Sequence, residues 1–210
     1  MNLIIKTHVL GPLENNTFLL IDPQTKQAAL VDPAFNSKEM IPAFLENQWT
    51  LSYILCTHAH FDHIAGINEI SELITPQTQI CLHEKDLPLW LNSGGATQFG
   101  LSFTPKTQPN YFVDENTVLQ LGEHRIEMRF TPGHTPGHVV YYLPEADIVL
   151  CGDLIFRQSV GRTDLPGGSH LLLLRSIDQQ IKPLPDNTRL LSGHGPETTI
   201  GYEKKYNPYL

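Results

Sequence analysis

The chain has 210 residues, 40% hydrophobic and 17% charged, values in keeping with a folded α/β protein. Its net charge of −8, with no cationic cluster beyond Lys204-Lys205, excludes nucleic acid as an expected partner, because phosphate neutralisation needs grouped Lys and Arg. No apolar run approaches the ~20 residues of a membrane span, and Lys6 cuts off Leu3-Ile4-Ile5 before a leader-like segment forms.

The first strands expected are Leu3–Lys6, Thr17–Ile21 and Ala28–Val31, set apart by Gly11-Pro12, Asn15-Asn16 and Asp22-Pro23 as turn signals. A helix runs up to Asn47, with Pro42 in its first turn. Tyr53–Cys56 reads as a buried strand. Ile64, Ile67, Ile70, Leu73 and Ile74 then give a helical pattern over Ile64–Ile74. A strand at Gln79–Leu82 and a short helix over Glu84–Leu91 follow. Residues 92–110 hold Gly94-Gly95, Gly100, Pro105 and Pro109 without periodicity. A loop of that length is either a surface excursion or a cover for substrate.

Strands are expected again at Val118–Leu121, Arg125–Phe130, Val139–Leu143 and Ile148–Cys151. Ser169–Ile181 reads as a helix capped by Ser169 and stopped before Pro183, and Arg189–Ser192 as a last strand. Two strand-rich blocks, each followed by helices, predict two sheets packed face to face with helices outside. No linker interrupts the pattern, so residues 1–210 are expected to form one domain. Cys56, Cys81 and Cys151, an odd count in apolar runs, read as reduced thiols in a cytoplasmic protein.

The densest chemistry lies in Thr57-His58-Ala59-His60-Phe61-Asp62-His63, three imidazoles and a carboxylate on a strand-to-helix loop. These are the side chains that bind zinc, iron and manganese. Three later segments share its format of an apolar strand followed by a small glycine-bearing turn with one candidate ligand. They are Thr131-Pro132-Gly133-His134-Thr135-Pro136-Gly137-His138, Gly152-Asp153 and Gly193-His194-Gly195. Singly each is weak, since a strand-end His or Asp is often a cap or turn residue. Four in series point to a shared metal site.

On THAHFDH, TPGHTPGH, GDLIF and GHG the chain resembles the metallo-β-lactamase superfamily over nearly its whole length, and within it the glyoxalase-II-like hydrolases. The resemblance implies an αββα sandwich with the site at one edge of the two sheets. It further implies that His58, His60 and His134 hold one metal ion and that Asp62, His63 and His194 hold a second. Asp153 would bridge the two, and both carboxylates would take part in catalysis. Zinc is the expected ion, with iron or manganese as alternatives. His60 stands where the flavo-diiron branch has Glu, and Asp153 supplies a carboxylate that β-lactamases lack, so neither activity is expected. The GRTD stretch, Gly161 to Asp164, occurs both in short glyoxalase-II-like proteins and in persulfide dioxygenases. There Arg162 and Asp164 are placed to form an ion pair.

The reading that follows is a binuclear metallohydrolase acting on a small-molecule thioester such as S-D-lactoylglutathione. The alternatives are a persulfide dioxygenase with one iron at His58, His134 and Asp153, a lactone hydrolase, and a non-catalytic metal-binding module. Glyoxalase II enzymes carry a C-terminal helical region that binds glutathione. Only sixteen residues follow His194 here, so weak dependence on the glutathione moiety is expected.

Overall fold

The computed structural model describes residues 2–210. One sheet is built from β1 (Ile4–Leu10), β2 (Asn15–Ile21), β3 (Gln27–Val31), β4 (Thr50–Leu55), β5 (Gln79–His83) and β6 (Tyr111–Val113), in that spatial order. The first three strands are antiparallel and the last four run parallel. In the second sheet β7 (Val118–Leu121), β8 (His124–Phe130), β9 (Val139–Leu143) and β10 (Ile148–Gly152) form an antiparallel meander. A hairpin of β11 (Ile155–Phe156) and β12 (Ser159–Val160) stands apart, and β13 (Arg189–Ser192) joins β10 in parallel with β14 (Thr198–Thr199) at its edge.

The period-two alternation of side chains along these strands builds the layers. Phe18 and Leu20 of β2 point between the sheets, where they meet Tyr141, Leu143 and Leu150. Leu19 and Ile21 point outward, onto a layer containing Phe44 of α1 (Ile41–Asn47), Phe61 of α2 (Phe61–Ile64) and Trp90 of α3 (Leu87–Leu91). In the second sheet Val140, Tyr142 and Val149 point outward onto Leu173 of α4 (His170–Ser176) and Ile200 of α5 (Ile200–Tyr206). The result is an αββα sandwich of two mixed sheets. Strands apolar on both faces require this four-layer arrangement, because each sheet has two faces to bury.

Several expected elements change form. Ile64–Ile74 is not one helix: α2 is followed by tight 3₁₀ turns at Ala65–Asn68 and Ser71–Leu73. The spacing Ile64, Ile67, Ile70 is three residues, and 3₁₀ geometry stacks such positions on one face as well as an α-helix does. Gly66 sets the tight turn, since its amide donates to the Pro33 carbonyl at 2.9 Å and a Cβ would lie 2.1 Å from the Ala34 carbonyl oxygen. Residues 92–110 are not without structure, because Ser93–Phe99 forms helical turns across left-handed Gly94 and Gly95. Asn15 and Asn16, read as turn residues, begin β2. Ser169 does cap α4, but the helix closes in a wide π turn at Ile177–Ile181, where Arg129 draws off the Gln180 carbonyl at 2.9 Å. All three cysteines are buried and free, and burial pushes each thiol up, that of Cys81 to about 12. No helix among the described residues is long and apolar enough to cross a membrane.

Candidate metal centre

The parallel strands deliver the site. β4 ends at Leu55 and hands the chain to His58, His60, Asp62 and His63. β10 ends at Gly152, paired with Ser192 of β13, so Asp153 and His194 leave neighbouring strand ends. Residues 131–138, between β8 and β9, bring His134. An isolated bridge between Asn15 and His194 ties the start of β2 to the end of β13, closing the two sheets at this edge.

All seven side chains singled out in the sequence meet here. One ring nitrogen from each of His58, His60 and His134 lies within 4.8 Å of the others, and atoms of Asp62, His63 and His194 make a second such group. Asp153 stands between them, Oδ1 at 3.4 Å from His63 Nε2 and Oδ2 at 3.7 Å from His134 Nε2. Four of the imidazoles are tethered through Nδ1, leaving Nε2 for the shared space. The tethers are Thr57 Oγ1 for His58 (3.0 Å), Asp32 for His63 (3.1 Å), the Arg162 carbonyl for His134 (2.8 Å) and the Leu13 carbonyl for His194 (3.0 Å). Such partners are what orient metal-binding histidines. His58 Nε2, His63 Nε2 and Asp153 Oδ1 are buried with no hydrogen-bond partner from the protein. Buried polar atoms left this way are costly unless something else satisfies them, and a cation in each group does so. The residues present therefore fit two metal ions.

Electrostatics divide the two groups. Burial, reinforced by the neighbouring imidazoles, holds His58 well below the usual histidine range, and the same causes push His60 down to about 3, so both rings are neutral. Burial also opposes a charge on His63, yet Asp153, Asp62 and Asp32 outweigh it and push its pKa up to about 10. For Asp62, burial is outweighed by His63, His194 and the Asn15 amide, which keep the carboxyl well below the usual range.

Four further residues shape the site, and sequence reasoning missed them. Asp32 takes the Thr57 amide at 2.7 Å and its hydroxyl at 2.6 Å, fixing the start of the histidine loop as well as His63. Asn15 donates to Asp62 at 3.1 Å. His138, the second histidine of TPGHTPGH and so visible in that repeat, is buried and accepts the Asp153 amide at 3.2 Å. Asp86, fully buried, receives the Ala59 amide (2.9 Å), the Thr135 hydroxyl (2.8 Å) and the Gly137 amide (2.6 Å), and so pins two ligand-bearing loops together. Removing its carboxylate in Asp86→Ala leaves three buried donors unpaired. The expected cost is about 3–5 kcal/mol, or roughly a 10 °C fall in Tm for a chain of this size. Thermal melting with metal analysis checks this, and an unchanged Tm with full metal content would contradict it.

A cavity of about 270 Å³ opens over the cluster, lined in part by His60, Asp62, His134, Asp153 and His194. Leu13, Phe61, Phe99, Leu165 and Arg162 complete its lining. Arg162 and Asp164 do pair, bidentate at 2.7 and 2.8 Å. A larger hollow of about 380 Å³, between Asn2, Leu3, His124 and Glu145, shares no residue with the cluster.

Residues 10–194 match the family model described as the metallo-beta-lactamase superfamily. The chain belongs to that superfamily. It is 33% identical to the hydroxyacylglutathione hydrolase GloC of Haemophilus influenzae over 199 residues, 94% of this chain and 93% of that one. Its fold matches the crystal structure of BLEG-1 B3 metallo-beta-lactamase with a TM-score of 0.90 and 37% identity, covering 99% of both chains. It also matches TTHA1623 in a di-iron-bound form, with a TM-score of 0.86 and 35% identity over 98% of this chain and 100% of that one. Superfamily membership and the His/Asp cluster agree on a metal-binding site at this sheet edge.

Proposed function

We propose that the protein is a two-metal hydrolase that cleaves thioesters of small thiols, S-D-lactoylglutathione among them. The observation that carries this reading is the place of Asp153 between the two three-residue ligand groups, with Oδ1 against His63 and Oδ2 against both His134 and His194. The similarity to GloC supports the thioester, and the di-iron form of TTHA1623 supports a pair of ions. His58, His60 and His134 would hold one ion, and Asp62, His63 and His194 the other, with Asp153 shared. Neutral imidazoles suit zinc, with iron or manganese as the alternatives. Two divalent ions bound there supply Lewis-acid activation of water and stabilise charge developing on the substrate carbonyl oxygen.

The chain's own groups keep that chemistry in register. Asp62 stays ionised beside Asn15, and its depressed pKa makes it a better anionic ligand than a proton store. The His138 ring fixes the backbone of Asp153, and the carbonyls of Arg162 and Leu13 fix the rings of His134 and His194. A thiol with a pKa of about 8.5 leaves as thiolate without a dedicated acid, in keeping with a cavity that shows candidate ligands and no separate acid–base pair.

Arg162 is the one Lys or Arg among the cavity residues, and Asp164 already occupies it. Glutathione carboxylates therefore meet no unpaired Lys or Arg side chain there. The expected result is that kcat/KM for S-D-lactoylglutathione falls less than about tenfold when the γ-glutamyl and glycyl ends are removed, because remote contacts contribute little. A hundredfold loss would point to a glutathione pocket elsewhere on the protein. The same assay carries a lactone, a β-lactam and glutathione persulfide as competitors. Oxygen consumption on the persulfide without thiol release from any thioester would replace the hydrolase reading by the dioxygenase.

A further inference from the structure

We propose that the cavity beside the metal centre is an acyl-chain site, selecting thioesters whose acyl group is compact, uncharged and apolar. This rests on the thioesterase reading and narrows it. Leu13 comes from the β1–β2 turn, Phe61 from the start of α2, Phe99 from the helical turns after α3, and Leu165 from the segment following the Arg162–Asp164 pair. Four apolar side chains from four separate segments thus join the candidate ligands in lining one cavity. Phe99 is 48% exposed and Leu13 47%, so both leave apolar surface uncovered at the cavity.

The apolar lining is braced from behind. The Phe99 ring lies 5.4 Å from Phe61, Phe61 lies 6.3 Å from Phe35, and Phe35 lies 6.2 Å from Phe103, so an aromatic row runs from the cavity into the core. Gly94 makes this approach feasible. Its φ is +60°, and a Cβ there would stand 2.4 Å from the Phe61 amide nitrogen, so the segment carrying Phe99 sits directly on the histidine loop.

Charge selects in the same direction. The one cationic side chain of the lining, Arg162, is neutralised by Asp164. A remote carboxylate such as that of succinyl meets no unpaired Lys or Arg side chain in this lining. Biological thiol carriers are polar and charged, so an apolar wall serves the acyl side and leaves the carrier toward solvent. At about 270 Å³ the cavity falls just under the ~300–1,000 Å³ of sites that enclose a whole small molecule, in keeping with a short chain alone. Lactoyl, with its hydroxyl, is accepted but not preferred.

The test compares acetyl, propionyl, butyryl, lactoyl and succinyl thioesters of N-acetylcysteamine on the metal-replete protein and on Phe99→Ser and Leu13→Ser/Phe99→Ser. Alongside it, binding of the unreactive thioether S-butyl-N-acetylcysteamine is measured by calorimetry. Wild-type kcat/KM is expected to rise about fourfold per methylene from acetyl to butyryl, the equivalent of burying one CH₂. Butyryl should exceed lactoyl and succinyl, and the slope should flatten in both variants. Turnover with a flat series, or with succinyl preferred, and no thioether binding would overturn the acyl site while leaving the hydrolase standing. No turnover of any thioester, with thioether binding that Phe99→Ser abolishes, would overturn the hydrolase and retain the apolar site.

Discussion

Asp153→Asn is expected to lower kcat/KM by about a thousandfold while the metal-free protein still folds, with its Tm within about 5 °C of wild type. The amide keeps the shape of the carboxylate but not its charge. Oδ1 faces His63 and Oδ2 faces His134, so in the variant one of the two ligand groups meets an NH₂ that points hydrogens toward the position of a cation. Two divalent ions bound there would then face each other poorly compensated, without the carboxylate proposed to be shared between them. The side chain is only partly buried and its backbone amide is held by His138, which is why folding survives. Turnover, melting and metal content measured together check this. Near-normal turnover with two ions retained would remove Asp153 from the site.

Metal removal should abolish turnover and lower Tm by roughly 10 °C per chain at saturating metal, since a ligand at a thousand times its Kd stabilises by about 4 kcal/mol. The size of the gap should depend on pH. In the metal-free protein the His63 pKa is raised to about 10, so its pairing with Asp32, Asp62 and Asp153 is fully present below pH 6.5 and lost as pH rises through about 10. A metal ion must displace that proton, and the raised His194 adds to the competition, whereas neutral His58 and His60 do not. The melting gap between metal-loaded and metal-free protein is therefore expected to widen from pH 6 to pH 9. A gap that stays constant would mean His63 keeps its proton and does not bind metal.

The candidate metal ligands were legible because they are concentrated on strand-end turns, four of them in one six-residue run. The αββα layering was legible because strands such as Phe18-Leu19-Leu20-Ile21 are apolar on both faces. The supports were not. Asp32 stands in Val-Asp-Pro and reads as a turn residue, and Asp86 reads as a helix-start residue. Their roles lie in donors 25 to 51 positions away in the chain, which no local pattern encodes. A period of three over Ile64–Ile70 does not separate 3₁₀ from α geometry in so short a segment. The helix α5 escaped notice because Gly201 stands in its first turn, although Thr199 caps it by accepting the Tyr202 amide at 3.2 Å. The long connection after α3 brings one residue to the cavity, Phe99, whose place follows from the left-handed turns at Gly94 and Gly95 and not from any periodicity.

The claim that two ligand groups share Asp153 is tested most directly by locating the ions in crystals of the metal-replete protein through anomalous scattering. Two peaks are expected, ~3.5–4 Å apart as in two-metal hydrolytic sites. One should lie among His58, His60 and His134, the other among Asp62, His63 and His194, with Asp153 touching both. A single peak at full metal saturation, with Asp62 and His194 turned away from it, would contradict the account.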